Sequence, residues 1–303
     1  MNEMSETGKT VDVHGITTHY HDAGDGPVVL LIHGSGPGVT AHANWRPVFP
    51  ALSQNFRVVA PDMLGFGYTA IPEGTNFTMD TWLWHLTGFL DALDIDECAI
   101  VGNSFGGAVA LHLTARRPER VRRVVLMGSS GISFPLTSGL EAVWGYEPSR
   151  EAMREMLRLF AFRDDLVGDD LVEDRYQASV RPGVHEAYSA MFPPPRQNGI
   201  DALALPETAF ADITCETLLI HGRDDRVVPV DVSIRLAELL PRARLHVIPE
   251  CGHWVQIEKA DEFRTLVLDF LGTDLTGPAS TSFTGGAPMS SRRTAAADTV
   301  RRQ

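Results

Sequence analysis

The pentapeptide Gly102-Asn103-Ser104-Phe105-Gly106 constrains this chain more than any other segment. It follows a short apolar run, Ala99 to Val101, and opens a stretch rich in alanine and leucine, Phe105 to Ala115, that ends before Pro118. The spacing predicts a buried strand, a sharp turn and a helix. In a G-x-S-x-G turn between strand and helix the serine side chain stands exposed above the sheet, and glycines on either side let neighbouring backbone pass close. The helix N-terminus that follows favours negative charge developing beside it. The same five residues in a loop would carry little information. Their place between strand and helix makes Ser104 the candidate nucleophile.

The rest of the chain supplies the sheet such a turn requires. Residues 10–14 and 17–21 alternate around Gly15 as an opening hairpin. Strands are expected at Val28 to Ile32, Arg57 to Ala60, Ala99 to Val101, Arg123 to Met127, Thr217 to Ile220 and Leu245 to Ile248. Helices are expected at Trp45 to Ser53, Met79 to Leu93, Phe105 to Ala115, Ser233 to Leu240 and Asp261 to Leu271. Apolar strands separated by helices imply a mostly parallel sheet covered on both faces. Residues 132–213 break this rhythm with helical, methionine-rich, proline-punctuated sequence lacking β-branched runs, which reads as an inserted helical cap between body segments 10–131 and 214–271. Residues 272–303 are rich in Thr, Ser, Gly, Pro and Ala and are expected to be a disordered tail.

A serine hydroxyl is a poor nucleophile without a base and a group that fixes the base's tautomer. Gly222 to Pro229 follows one late strand and offers Asp224 and Asp225; Asp225, three residues before Val228-Pro229, is the preferred acid. Gly252-His253-Trp254 follows the last strand and supplies the base. Of the eleven histidines only His253 sits where chain order and a strand end coincide; His85, His112, His185 and His246 read as packing or surface residues. The order serine, acid, histidine is that of the α/β-hydrolase fold. In that fold the loop after the first central strand, here His33-Gly34-Ser35-Gly36-Pro37-Gly38, lends one backbone N–H to an oxyanion hole and the residue after the nucleophile lends another, which nominates Ser35 and Phe105. A phosphate loop would need a Lys-Ser or Lys-Thr after these glycines, and none follows.

A net charge of −13 argues against binding to a nucleic-acid backbone and favours a small-molecule partner, which if anionic needs a local cationic anchor. Cys98, Cys215 and Cys251 form no CxxC pair and read as reduced core thiols. His19 and His21 share a strand face but lack a third ligand, so no metal is expected. The polar N-terminus and the lack of an apolar run near the roughly 18 residues that span a bilayer suggest a cytoplasmic protein with no membrane contact.

At this point the sequence resembles the meta-cleavage-product hydrolases, the carbon–carbon bond hydrolases of bacterial aromatic degradation. The matching stretches are residues 33–40 with Asn44-Trp45-Arg46, then 61–67, 102–107, 143–146, Met191-Phe192-Pro193 with Pro195-Arg196-Gln197, 221–229 and 251–254. They look like the branch acting on 2-hydroxymuconic semialdehyde and small alkyl ketone analogues. His42 departs from the family pattern, where an aromatic residue is expected.

The resemblance implies a serine hydrolase acting on carbon–carbon bonds in ketonic substances, with an anionic 2-hydroxy-6-oxohexa-2,4-dienoate as substrate, no cofactor, and a homo-oligomeric assembly. Arg196 would anchor the carboxylate, with Asn44, Asn103 and Trp254 in the same polar subsite. Phe134, Trp144, Leu157 and Met191 would set pocket volume. The dienol would be ketonised at C5 with His253 moving the proton, and Ser104 would then act at C6 as an acylated nucleophile or as a base for water. A carboxylesterase of the same fold shares every triad feature, and a binding protein that retained the pocket is the alternative from another class.

Overall fold

The computed structural model of the chain describes Met4 and residues 7–272; the expected tail therefore lies, apart from Gly272, outside the described residues. Residues up to Leu271 form one compact unit. The opening hairpin is present as β1 (Lys9–Val13) and β2 (Ile16–Ala23), followed by β3 (Val28–Ile32) and β4 (Arg57–Pro61). The remaining strands are β5 (Cys98–Asn103), β6 (Val121–Met127), β7 (Glu216–Gly222) and β8 (Ala243–Ile248). They make one eight-stranded sheet in the order β1-β2-β4-β3-β5-β6-β7-β8. The β1–β2 and β2–β4 pairs are antiparallel, and every other pair is parallel.

Period-two alternation divides the sheet's side chains between two layers. Leu30, Ile32, Ile100, Val124 and Leu126 enter one core, while Val29, Leu31, Val101, Val125 and Met127 enter the other. Central β5 is buried along its whole length, which is why its sequence reads as continuously apolar. The helices α1 (Ala41–Trp45), α2 (Phe49–Leu52), α3 (Met79–Ala92) and α4 (Phe105–Arg116) intervene between the early strands. The expected helix from Trp45 to Ser53 is thus two short ones, broken around Pro47, which lacks the N–H a continuous helix needs.

Between β6 and β7 the chain forms α5 (Ser138–Trp144), α6 (Arg150–Phe160), α7 (Asp169–Ser179), α8 (Val184–Met191) and α9 (Gln197–Leu203), with no strand among them. Helix α6 begins at Ser149, whose side chain accepts from Ala152 N, and buries Met153, Met156, Leu157 and Phe160, one face of a 3.6-residue repeat. The helices α10 (Val230–Leu239), α11 (Val255–Glu258) and α12 (Ala260–Gly272) complete the body. No described helix is long and apolar enough to cross a membrane.

One buried carboxylate knots the edge of the body together. Asp62, fully buried after β4, accepts from Ala41 N at 2.6 Å, Tyr68 N at 2.9 Å and His19 Nδ1 at 2.8 Å. Burial raises its pKa, but the His19 hydrogen bond, the neighbouring His33 ring and the backbone donors outweigh it, so the carboxyl is held below its ordinary value. Asp62→Asn is expected to cost about 3 kcal/mol of unfolding free energy, because it leaves buried donors facing an amide. The contribution is complete above the ordinary carboxylate range and is lost as pH falls through the lowered pKa. Urea midpoints should therefore differ at pH 7 and converge in acid; equal midpoints at pH 7 would refute the role.

Candidate active site

The Ser104 turn is built by close backbone packing. A Cβ on Gly102 would stand 2.5 Å from Gly106 O, and one on Gly106 would stand 2.2 Å from Ile32 O. Neither site has room for a side chain, so α4 starts hard against β3 and β5. Ser104 itself has φ 52° and ψ −113°, a conformation L-residues rarely adopt. It is held there by Ser104 N donating to Met127 O at 2.9 Å, and by its own carbonyl accepting from Gly107 N and Ser130 N. Phe105 is the first residue of α4, so its N–H lies in the turn where a helix offers no internal acceptor.

Asp225 and His253, the expected acid and base, lie beyond the C-terminal ends of β7 and β8. Asp225 Oδ1 accepts from Val227 N at 2.8 Å and Val228 N at 3.0 Å, and Oδ2 lies 2.7 Å from His253 Nδ1. A second histidine, His221, brings Nε2 to 3.3 Å from the same Oδ2 and 2.9 Å from Val228 O, with Nδ1 2.7 Å from Ser233 Oγ. Burial would raise the Asp225 pKa; the two histidines outweigh it and hold the carboxyl well below its usual range. Asp224 instead faces the surface, where it accepts from Glu250 N and meets Arg223.

Ser104 and His253 line one cavity together with Ser35, Asn44, Asn103 and Trp254. The loop carrying Ser35 is fixed by His33, whose Nδ1 donates to Gly34 O at 2.7 Å while Nε2 accepts from Met63 N at 3.0 Å. Ser35 Oγ in turn accepts from Trp144 Nε1 at 3.2 Å. The apolar wall consists of Leu140, Val143, Phe160 and Val227. Phe134, Trp144, Leu157 and Met191, expected to set the pocket volume, are buried in the surrounding core and are not among its lining residues. His42 also lies elsewhere, in an adjoining chamber.

The cationic residue at this cavity is Arg175 of α7, and Arg196 is not among the lining residues. Arg196 instead pairs with Glu141 at 2.7 Å and has its guanidinium against Gly145. Arg175 is 7% exposed, has no carboxylate within ion-pair distance among the described residues, and makes one long contact of 3.5 Å from Nη1 to Gly38 O. Its Nε has no partner, and neither does Asn44 Nδ2. Burial lowers the Arg175 pKa to about 10, so it stays charged at neutral pH. A buried, charged and unsatisfied guanidinium is costly unless an anion completes it. The sequence signal was available: Val172, Arg175 and Ser179 are the buried residues of α7, which puts an arginine on its inward face.

Burial pushes the Cys251 thiol up to about 12, which keeps it a thiol beside His253 rather than a competing nucleophile. Among the described residues no group of three His, Cys, Asp or Glu side chains could hold a metal ion.

Comparison with known proteins agrees with this geometry. A family model described as the alpha/beta hydrolase fold matches residues 27–260. The chain is 55% identical over 266 residues to a 2-hydroxymuconate semialdehyde hydrolase of Pseudomonas sp. strain CF600, covering 88% of this chain and 94% of the relative. It is 54% identical over 273 residues to a 2-hydroxy-6-oxo-2,4-heptadienoate hydrolase of Pseudomonas putida, covering 90% and 99%. A solved meta-cleavage product hydrolase from Pseudomonas fluorescens IP01 superposes with a TM-score of 0.87 at 53% identity, over 88% of this chain and 98% of that one. The chain belongs to the α/β-hydrolase family. Within that family it is a member of the meta-cleavage-product hydrolases.

A further group ties the histidine loop to the inserted helices. His253 N donates to Phe160 O at 2.7 Å, and Phe160 stacks on Trp254 with ring centroids 5.0 Å apart. Glu258 closes the same junction: Oε1 accepts from Gly252 N at 2.7 Å and Oε2 from Phe162 N at 2.8 Å. Glu258→Gln, which keeps one acceptor and turns a donor toward a donor, is expected to cost about 2 kcal/mol of stability. Because the loop it holds carries His253, kcat should fall more than KM rises; an unchanged kcat would mean that this clasp does not position the histidine.

Proposed function

We propose that this chain hydrolyses the C5–C6 bond of 2-hydroxy-6-oxohexa-2,4-dienoates, giving 2-hydroxypenta-2,4-dienoate and a carboxylic acid; two of its relatives are named as hydrolases of 2-hydroxymuconate semialdehyde and of 2-hydroxy-6-oxo-2,4-heptadienoate. The observation that carries the reading is the buried Arg175, without a carboxylate partner, at the same cavity as Ser104 and His253. An ester needs no such charge. A dienoate supplies the missing carboxylate, and Asn44, Asn103 and Trp254 line the same space for its 2-oxygen. Residues 132–213 serve as a cap that closes this site over the body formed by 10–131 and 214–271.

In this reading Asp225 holds His253 with its proton on Nδ1 and leaves Nε2 as the basic nitrogen. Substrate binds with its carboxylate on Arg175 and its C6 carbonyl above Ser104. His253 moves the 2-hydroxyl proton to C5, which converts the dienol to a ketone and makes C5 a possible leaving carbon. The C6 carbonyl is then attacked by oxygen activated at the Ser104 and His253 pair, and its developing oxyanion is met by the backbone N–H groups of Ser35 and Phe105. When the C5–C6 bond breaks, its electron pair passes into the conjugated 2-oxo system beside Arg175, and the proton that His253 took from the attacking oxygen returns to the 2-oxygen, which regenerates the dienol. C6 leaves as formate from the semialdehyde, or as acetate from the methyl ketone.

Leu140, Val143, Phe160 and Val227 would face the C6 substituent, since they form the apolar side of the cavity. The roles of Arg175 and Arg196 separate in one experiment. Arg175→Gln is expected to lower kcat/KM for 2-hydroxymuconic semialdehyde about a hundredfold, equivalent to about 3 kcal/mol. With p-nitrophenyl acetate the change should stay below about threefold, and Arg196→Ala should stay below about threefold on both substrates. Equal losses on both substrates in Arg175→Gln would remove the carboxylate-anchor role and return the site to a simple esterase.

A further inference from the structure

Next to the reacting cavity the fold holds a second and larger chamber of about 670 Å³. The two spaces share Val39, Asn44, Arg175 and Trp254, so they meet at the unsatisfied guanidinium. The outer chamber has a charge opposite to that of the chain. Its wall includes Arg46, Arg175 and Arg181 against one carboxylate, Asp174, in a protein whose net charge is −13.

The arginines are not equivalent. Arg181 is already engaged, donating to Gly67 O at 2.7 Å and lying 4.0 Å over the Tyr68 ring. Arg46, at the end of α1, is exposed and has no carboxylate within ion-pair distance among the described residues. A row of rings continues the same wall: Tyr68 against His19 at 5.2 Å, His19 against His21 at 5.2 Å, and His21 against His42 at 5.8 Å. His21 is 4% exposed and its Nε2 has no partner. Burial and the neighbouring His19 lower its pKa to about 4, so at neutral pH it offers a neutral imidazole edge rather than a second cation.

The net charge of −13 repels an approaching anion, and a cleft of the opposite sign with low-dielectric walls focuses the local field and raises capture rates. We propose that this chamber is an outer carboxylate station, where Arg46, beside His21 and His42, first holds the anionic dienoate before it passes inward to Arg175. The proposal rests on the dienoate reading of the inner site and adds a separate step to it. Arg46 acts through its long-range field as the anion approaches and makes no contact with the bound, reacting substrate.

The step is read by stopped-flow mixing of the Ser104→Ala variant with 2-hydroxymuconic semialdehyde, following the absorbance of the dienolate. At low ionic strength Arg46→Glu in that background is expected to lower the association rate constant about tenfold, with Arg46→Ala falling between. The difference should shrink as salt is added, because the Debye length falls to about 8 Å at 0.15 M. The dissociation rate constant should not change, since Arg175 holds the final complex. Association rates that are the same with either side chain, at every salt concentration, would overturn the station. So would an effect confined to dissociation. If the Ser104→Ala protein does not bind the dienolate at all, the reading of the inner site fails first, and the station fails with it.

Discussion

The site depends on a backbone that cannot relax. Ser104 sits at φ 52° because β5 ends at Asn103 and α4 begins at Phe105, which leaves this one residue to make the whole turn. The contacts that hold it come from three directions: Ile32 O of β3 leaves no space for a side chain on Gly106, Met127 O of β6 takes the Ser104 N–H, and Ser130 N donates to the Ser104 carbonyl. Strain of this kind persists only where the surroundings over-determine it. Here the parallel sheet does so, and the same sheet delivers Asp225 and His253 from the ends of β7 and β8. Ligand sites in open α/β sheets lie at these carboxyl ends for the same geometric reason.

A rigid body alone would make an esterase as readily as a carbon–carbon hydrolase. The difference comes from the inserted helices. They bring Arg175 down from α7, Leu140 and Val143 from α5 and Phe160 from α6, and they fasten onto the body at the places where chemistry is expected. Trp144 bonds the Ser35 side chain, and the carbonyl of Phe160 takes the N–H of His253 itself. The cap and the histidine loop are therefore one hydrogen-bonded unit, completed by Glu258. A substrate that changes the packing of α6 has a direct line to the base.

What the sequence made legible follows from this division. That Ser104, Asp225 and His253 lie together could be read because each follows a strand end in a short motif, and the sheet brings those strand ends to one location. Arg175 escaped because no local motif marks it, although the inserted region was read as helical. Its place at the buried positions of α7, in step with Val172 and Ser179, was the available clue. Arg196 was nominated through its motif, but Glu141, 55 residues earlier, takes its guanidinium, and a salt bridge across that separation has no sequence signature. His221, near the end of β7 and four residues before Asp225, was read only as part of the stretch 221–229, and its Nε2 lies 3.3 Å from the Asp225 carboxylate. Phe134, Trp144, Leu157 and Met191, named for pocket volume, lie in the core around the cavity and do not line it, because size and burial do not tell which side of a helix meets a cavity.

The central claim is that this strained serine serves carbon–carbon cleavage. The most direct measurement is to mix the purified protein with 2-hydroxymuconic semialdehyde, follow the loss of its yellow dienolate absorbance, and quantify the products. The account predicts that 2-hydroxypenta-2,4-dienoate and formate form in equal amounts with the substrate consumed, and that Ser104→Ala abolishes both while still binding the dienolate. Persistence of the absorbance with the unaltered protein, or its loss without formate, would contradict it.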